Sequence, residues 1–152
     1  MRGGGSVGKG KVLEELLRET CFLIKKVGRQ VLKDYDLTSA QFEVLQKLYF
    51  NGKMRMSDIS RELGVAKSTI TGIVRGLESA GYVVKAKDPN DLRVNVLELT
   101  SRGKEIIEKV IARRQDFVSQ CLKSLDIGIT ERLREDLNRL LDSIRKESKD
   151  WL

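Results

Sequence analysis

Met56-Ser57-Asp58-Ile59-Ser60-Arg61-Glu62-Leu63-Gly64-Val65-Ala66-Lys67-Ser68-Thr69-Ile70-Thr71-Gly72-Ile73-Val74-Arg75-Gly76-Leu77-Glu78 is the stretch that decides the fold. Ile59 and Leu63 mark the inner side of a short helix, and Gly64-Val65 reads as a turn. Ile70, Ile73, Val74 and Leu77 then recur at three- and four-residue steps, the spacing of one buried helix face. Two β-rich runs follow, over residues 82–87 and 93–99, around Asp88-Pro89-Asn90-Asp91. Proline fixes φ there, and the Asx side chains bond nearby backbone, so this is a turn. Helix, turn, helix and hairpin in that order make a winged helix-turn-helix, a shape that places its second helix in the major groove of DNA.

Outward from this unit the signals are helical. Thr38-x-x-Gln41 is a capping box opening a helix with Phe42, Leu45 and Leu48 inward, and Asn51-Gly52 ends it. Residues 11–34 repeat Leu13, Leu16, Leu17, Leu23, Ile24, Val27 and Val31 along one long helix. Thr100 can cap a fifth helix reaching about Leu125, with Ile107, Val110, Val118 and Cys121 on its stripe. Thr130 can cap a sixth, with Leu133, Leu137, Leu140, Leu141 and Ile144 on one face. The expected class is mainly α with a small β-wing. A winged helix-turn-helix lobe over 38–100 is flanked by helical segments at 11–34 and 101–152, all one domain. Residues 1–10 are Gly-rich without an apolar core and read as a mobile tail, not a secretory signal. Long terminal stripes outside a small core need a cover, and a second copy related by a twofold axis supplies one. An intramolecular bundle is the alternative.

Composition narrows the function. Charged residues are 34% and hydrophobic residues 40%, which suits a folded helical protein. Aromatics at 5% argue against single-strand recognition by base stacking. No apolar run approaches the roughly 18–20 residues of a membrane helix. There is no histidine, which removes Ser-His-Asp chemistry and imidazole-based zinc sites, and two cysteines are too few for a zinc-thiolate site. No paired-acid motif or phosphate-binding Gly-rich loop is present, so an enzyme is not expected, nor a cofactor or metal. Few cysteines make the cytoplasm the default location. The positive excess behind the net charge of +7 lies in Met1–Lys33 and in Arg55–Lys104, while the last two helices are balanced. Such an excess attracts nucleic acid through counterion release, although it is also compatible with a merely solvated surface.

On the wheel of the helix after Ala66, the face opposite Ile70 and Val74 carries Ser68, Gly72 and Arg75, with Thr69 and Thr71 on its shoulders. Hydroxyls can bond base edges or phosphates, and arginine can reach guanine O6 and N7 together. Lys67-Ser68-Thr69 lies where the positive end of the helix dipole would meet phosphate. Gly72 costs roughly 1 kcal/mol of helix propensity against alanine, a cost that close approach to DNA would make intelligible.

Leu63-Gly64-Val65-Ala66-Lys67-Ser68-Thr69-Ile70-Thr71-x-Ile73-Val74-x-x-Leu77-Glu78-x-x-Gly81-Tyr82-Val83 resembles the recognition-helix region of MarR-type (multiple antibiotic resistance regulator) transcription factors. Asp91-x-Arg93, followed by Leu99-Thr100 and Gly103, matches that family's wing signature. The resemblance runs from about Lys11 to the C-terminus. It implies a homodimeric DNA-binding regulator on a pseudo-palindromic operator, with the terminal helices as the dimer region. It further implies that Ser68, Thr69, Thr71 and Arg75 read the major groove. Arg93 would enter the minor groove with Asp91 orienting its guanidinium. Lys85 and Lys87 are placed near phosphates by their charge. Three positions depart from many relatives: Ala66 stands for an N-cap serine, Gly72 for an arginine, and Arg75-Gly76 for an Asp-Arg pair. The base sequence read would differ accordingly.

Regulators of this kind often bind small aromatic or anionic effectors between dimer region and lobe, and release from a repressed operator is the expected outcome. The candidates by position are Phe22, Lys26, Tyr35, Phe42 and Leu45; core or solvated rim is the competing reading for each. Cys21 resembles the reactive cysteine of the hydroperoxide-sensing branch, with Lys25 where that branch has a tyrosine; a buried structural thiol is the alternative. A winged helix used only for protein contact is the remaining alternative function.

Overall fold

The computed structural model describes residues 4–151. In chain order these form α1 (Gly4–Arg29), a 3₁₀ segment (Gln30–Tyr35), α2 (Ser39–Asn51), β1 (Met54–Arg55), α3 (Met56–Leu63), α4 (Lys67–Ser79), β2 (Val83–Asp88), β3 (Asp91–Leu99), α5 (Ser101–Leu122) and α6 (Ile127–Glu147), ending in a 3₁₀ turn (Ser148–Asp150). The three strands make one antiparallel sheet in the order β1-β3-β2.

The capping signals work as the sequence suggests. The Thr38 hydroxyl accepts from the Gln41 backbone N–H at 3.1 Å, and the Gln41 side chain accepts from Thr38 N–H at 3.0 Å. Gly52, at φ 76°, ends α2. Gly64, at φ 65°, turns the chain between α3 and α4, a conformation that costs glycine nothing. The buried Ser60 hydroxyl donates to Val65 O at 2.6 Å and fixes that turn. Thr100 caps α5 by accepting from Gly103 N–H at 3.1 Å, and it donates to Gly81 O at 2.7 Å. The core of the lobe is Phe42, Val44, Leu45 and Leu48 of α2, Ile59 of α3, and Ile70, Val74 and Leu77 of α4. Tyr82, Val83 and Leu97 of the wing and Ile106, Ile107 and Val110 of α5 complete it.

Four expectations are corrected. The first helix starts at Gly4, so part of the segment expected as a tail, 1–10, is helical; residues 1–3 lie outside the described residues. That helix ends at Arg29, the last turn tightens to 3₁₀, and Asp36 takes the left-handed conformation that Asp tolerates. The fifth helix stops at Leu122. The sixth is capped by Asp126, whose carboxylate accepts from Gly128 N–H at 2.6 Å, and not by Thr130. The two-residue strand β1, which pairs Met54 with Leu97 and Arg55 with Val96, is an addition. Two residues are too few to show alternation.

The described chain divides into a unit ending at Arg114 and a second from Gln115, which holds the end of α5 and all of α6. In the first unit Val12, Leu13 and Leu16 of α1 remain more than half exposed. In the second, α6 has no buried residue, and Leu133, Leu137, Leu141 and Ile144 stay 43–50% exposed. Among the described residues, no helix is long and apolar enough to cross a membrane.

Candidate nucleic-acid interface

Burying Ile70, Val74 and Leu77 turns the other side of α4 to solvent, and Lys67, Ser68, Thr69, Thr71, Gly72 and Arg75 are all exposed on it. Lys67 and Arg75 have no ion-pair partner among the described residues. At the start of the helix, Ala66 offers no side-chain cap. The first-turn amides therefore keep their donors for an outside acceptor, where the helix dipole also favours an anion. The Thr71 hydroxyl donates back to Lys67 O at 2.8 Å, leaving its oxygen to accept. Gly72 meets no atom within 4 Å of where a Cβ would stand, so the fold itself does not demand a glycine there. Gly76 differs, because a Cβ would come 2.8 Å from the Gln41 amide nitrogen.

The wing carries its cation at the tip. Arg93 has a 90% exposed side chain, and its Nε donates to Asp91 Oδ1 at 3.1 Å. The same carboxylate oxygen accepts from the Arg93 backbone N–H at 3.1 Å. The Arg93 side chain, with its backbone N–H next, holds the Asp91 carboxyl below the usual carboxylate range. Such an exposed pair adds little to stability, but it fixes the direction of a guanidinium. Lys87 is exposed and without an ion-pair partner among the described residues. Lys85 is engaged: its ammonium lies 2.7 Å from Glu78 of α4.

One pair at the wing root gave no signal in the sequence. Arg55 of β1 donates from Nε (2.9 Å) and Nη2 (2.6 Å) to Asp88 Oδ2, and Asp88 Oδ1 accepts from Asn90 N–H at 2.9 Å. Asp88 is one of two buried polar residues among those described. The Asn90 amide and then the Arg55 guanidinium hold its carboxyl below the ordinary range. Read alone, Asp88 is a turn former, and nothing local announces a partner 33 residues upstream.

The effector candidates do not gather in one place. Leu45 is fully buried in the core. Phe22 is 59% exposed on α1, with the Lys26 ammonium 5.9 Å from its ring centre. The Tyr35 hydroxyl accepts from Lys109 at 2.8 Å. Phe42 is buried but borders a cleft of about 330 Å³ that also takes in Lys25, Arg29, Phe50, Leu63 and Arg114. Arg114 was missed by sequence reasoning. Its Nε is buried without a hydrogen-bond partner, and its guanidinium lies 5.9 Å from the Phe42 ring centre. Burial, and next the charge of Arg29, push its pKa down. Both thiols, Cys21 and Cys121, are exposed in the single chain, so neither is a core packing residue.

Comparison with known proteins gives a consistent picture. The family model described as "MarR family" matches residues 37–94. The chain is similar to YsmB of Bacillus subtilis, an uncharacterized HTH-type transcriptional regulator, at 34% identity over 79% of this chain and 84% of the relative. Among solved structures, the transcriptional regulator Tm0710 from Thermotoga maritima is 42% identical, with a TM-score of 0.83 over 90% of this chain and 96% of that one. A MarR family protein from Bacillus stearothermophilus is 29% identical, with a TM-score of 0.78 over 93% and 99%.

Proposed function

The chain belongs to the MarR family of DNA-binding transcriptional regulators, and from that membership we propose that it acts in the cytoplasm as a homodimeric repressor, released from a pseudo-palindromic operator by a small effector. The observation that carries the reading is the solvent face of α4. An unpaired Arg75, three hydroxyls and an uncapped helix start share it, and the wing adds a carboxylate-steered Arg93. Lys67, Ser68 and Thr69 meet phosphate or base edges, Thr71 and Arg75 meet bases, and Lys87 meets phosphate. Lys85 contributes less, since Glu78 already holds it.

Dimerisation is supported by the apolar residues of α1 and α6 that the single chain leaves open. Burying Leu133, Leu137, Leu141 and Ile144 against a second copy is worth roughly 25 cal/mol for each Å² of apolar surface covered. Sedimentation at micromolar concentration should give a dimer, and a gel-shift should give one complex per inverted repeat taken from the adjoining promoter. Arg75→Ala should cost about 1–3 kcal/mol per base contact on that repeat and much less on random duplex. A compact monomer, or a protein that leaves duplex DNA unshifted at low salt, would point instead to a winged helix used for protein contact.

The effector reading is supported by the cleft at Phe42. It joins apolar rings to cations, and its buried Arg114 Nε lacks a partner. A carboxylate on an aromatic ring would satisfy both. Aromatic carboxylates should raise the melting temperature and lower DNA affinity about 5–150-fold, the range of a 1–3 kcal/mol coupling. Arg114→Met should abolish both responses. If peroxide instead releases the wild type but not Cys21→Ser, and aromatic acids do nothing, control belongs to the exposed thiol.

A further inference from the structure

The wing is a two-stranded ribbon, and such a ribbon is soft by itself. Its pairing slips at the tip, where the register shifts between Lys87 and Asp88 and Asp88 comes to face Asp91. Arg93 lies within that break, in the stretch of β3 between Asp91 and Asn95 that the pairing skips. At the same point Asp88 turns inward, and its carboxylate takes three hydrogen bonds, two of them from Arg55. Arg55 belongs to β1, on the far side of β3 from β2, and the next residue begins α3. The Arg55–Asp88 pair thus ties the loose end of the wing to the strand that leads into the helix-turn-helix.

We infer that Arg55 and Asp88 are positioning residues for DNA recognition: they hold the wing so that Arg93 reaches its groove while α4 sits in the neighbouring one. This rests on the wing reading DNA. The duplex fixes the offset between adjacent grooves, so a wing already set at that offset binds without first being ordered. The Arg55 side chain is 46% exposed, which makes a direct phosphate contact the rival role.

Asp88→Asn separates the two roles by the sign of its effect. It keeps an acceptor for Asn90 N–H but removes a negative charge beside a polyanion and releases Arg55. A phosphate-contacting Arg55 then predicts unchanged or tighter binding. Positioning predicts weaker binding, by about tenfold, with Arg55→Gln equally affected. In an Arg93→Ala background both changes should be nearly silent, because there is no wing-tip contact left to misplace. Amide hydrogen exchange over residues 90–93 should quicken in both variants while α4 stays protected. Arg55→Lys, which keeps the charge but not the forked pair, carries the comparison if Arg55→Gln folds poorly. Tighter binding by Asp88→Asn, or losses that add to that of Arg93→Ala, would overturn the assignment. An Arg93→Ala protein that binds like wild type would sink the groove-reading role of the wing itself. Amide exchange tells that failure apart, since it still registers whether the strut holds the tip.

Discussion

Gly103→Ala should destabilise the protein by about 3 kcal/mol, the upper end of what overpacking costs. Gly103 lies in the first turn of α5, and a Cβ there would fall inside the van der Waals shell of the Tyr82 carbonyl oxygen and 3.0 Å from Leu99 Cδ2. The carbonyl cannot step aside. It accepts from Thr100 N–H at 3.1 Å, while Tyr82 N–H is tied to Leu77 O at 2.9 Å and the Tyr82 ring is buried beneath the Arg102 guanidinium. Either α5 lifts from the wing or the Thr100 cap opens. Urea denaturation reads the loss, and Gly72→Ala is the matching control. A methyl at Gly72 meets open space, so that variant should gain up to about 1 kcal/mol from helix propensity. A Gly103→Ala protein within about 0.5 kcal/mol of wild type, the range of an ordinary surface change, would show that the α5–wing junction is far softer than its geometry implies.

Arg93→Ala should weaken operator binding by about one and a half to four orders of magnitude. The proposed homodimer presents two wing tips, and each direct base contact is worth about 1–3 kcal/mol. Its signature is in the salt dependence. Every phosphate contact removed lowers the slope of log K against log salt by about 0.9, so two phosphate-bound arginines would lower it by about 1.8. An affinity loss without that change in slope would mark a base contact in the groove. Fluorescence anisotropy from low to moderate salt measures both quantities. Unchanged affinity and slope in a correctly folded variant would remove Arg93 from the interface. Asp91→Ala should follow in the same direction with a smaller loss, because the cation remains but loses its aim.

The features legible in the sequence were those fixed by neighbours along the chain. The capping box at Thr38 and Gln41, the left-handed turn at Gly64 and the apolar spacing of α4 each need fewer than ten residues to announce themselves. The exposed face of α4 follows from its buried one, which is why Ser68, Thr69 and Arg75 could be placed by counting. Features made by tertiary contact could not be counted. β1 exists because β3 offers it a ladder, Asp88 meets Arg55 through that ladder, and the Arg114 Nε is buried only because Gly28 leaves room for it. Gly28 itself was unremarked, although a Cβ there would press to 2.6 Å from Arg114 Nε. Local propensity also argued against a helix at Gly4, Gly5, Gly8 and Gly10, each costing about 1 kcal/mol relative to alanine. The structure nonetheless carries α1 from Gly4.

Ala66 leads to a different kind of conclusion. A helix start without a side-chain acceptor forgoes about 1 kcal/mol in the free protein. A phosphate oxygen can make up that deficit only in the complex. On the proposed docking, in which phosphate meets the first-turn amides of α4, the protein lacks that acceptor when alone and gains it when bound, which sets heat tolerance against grip on DNA at a single position. Ala66→Ser should therefore harden the apo-protein while weakening its hold on the duplex, a trade that melting and binding measurements on one variant would read together.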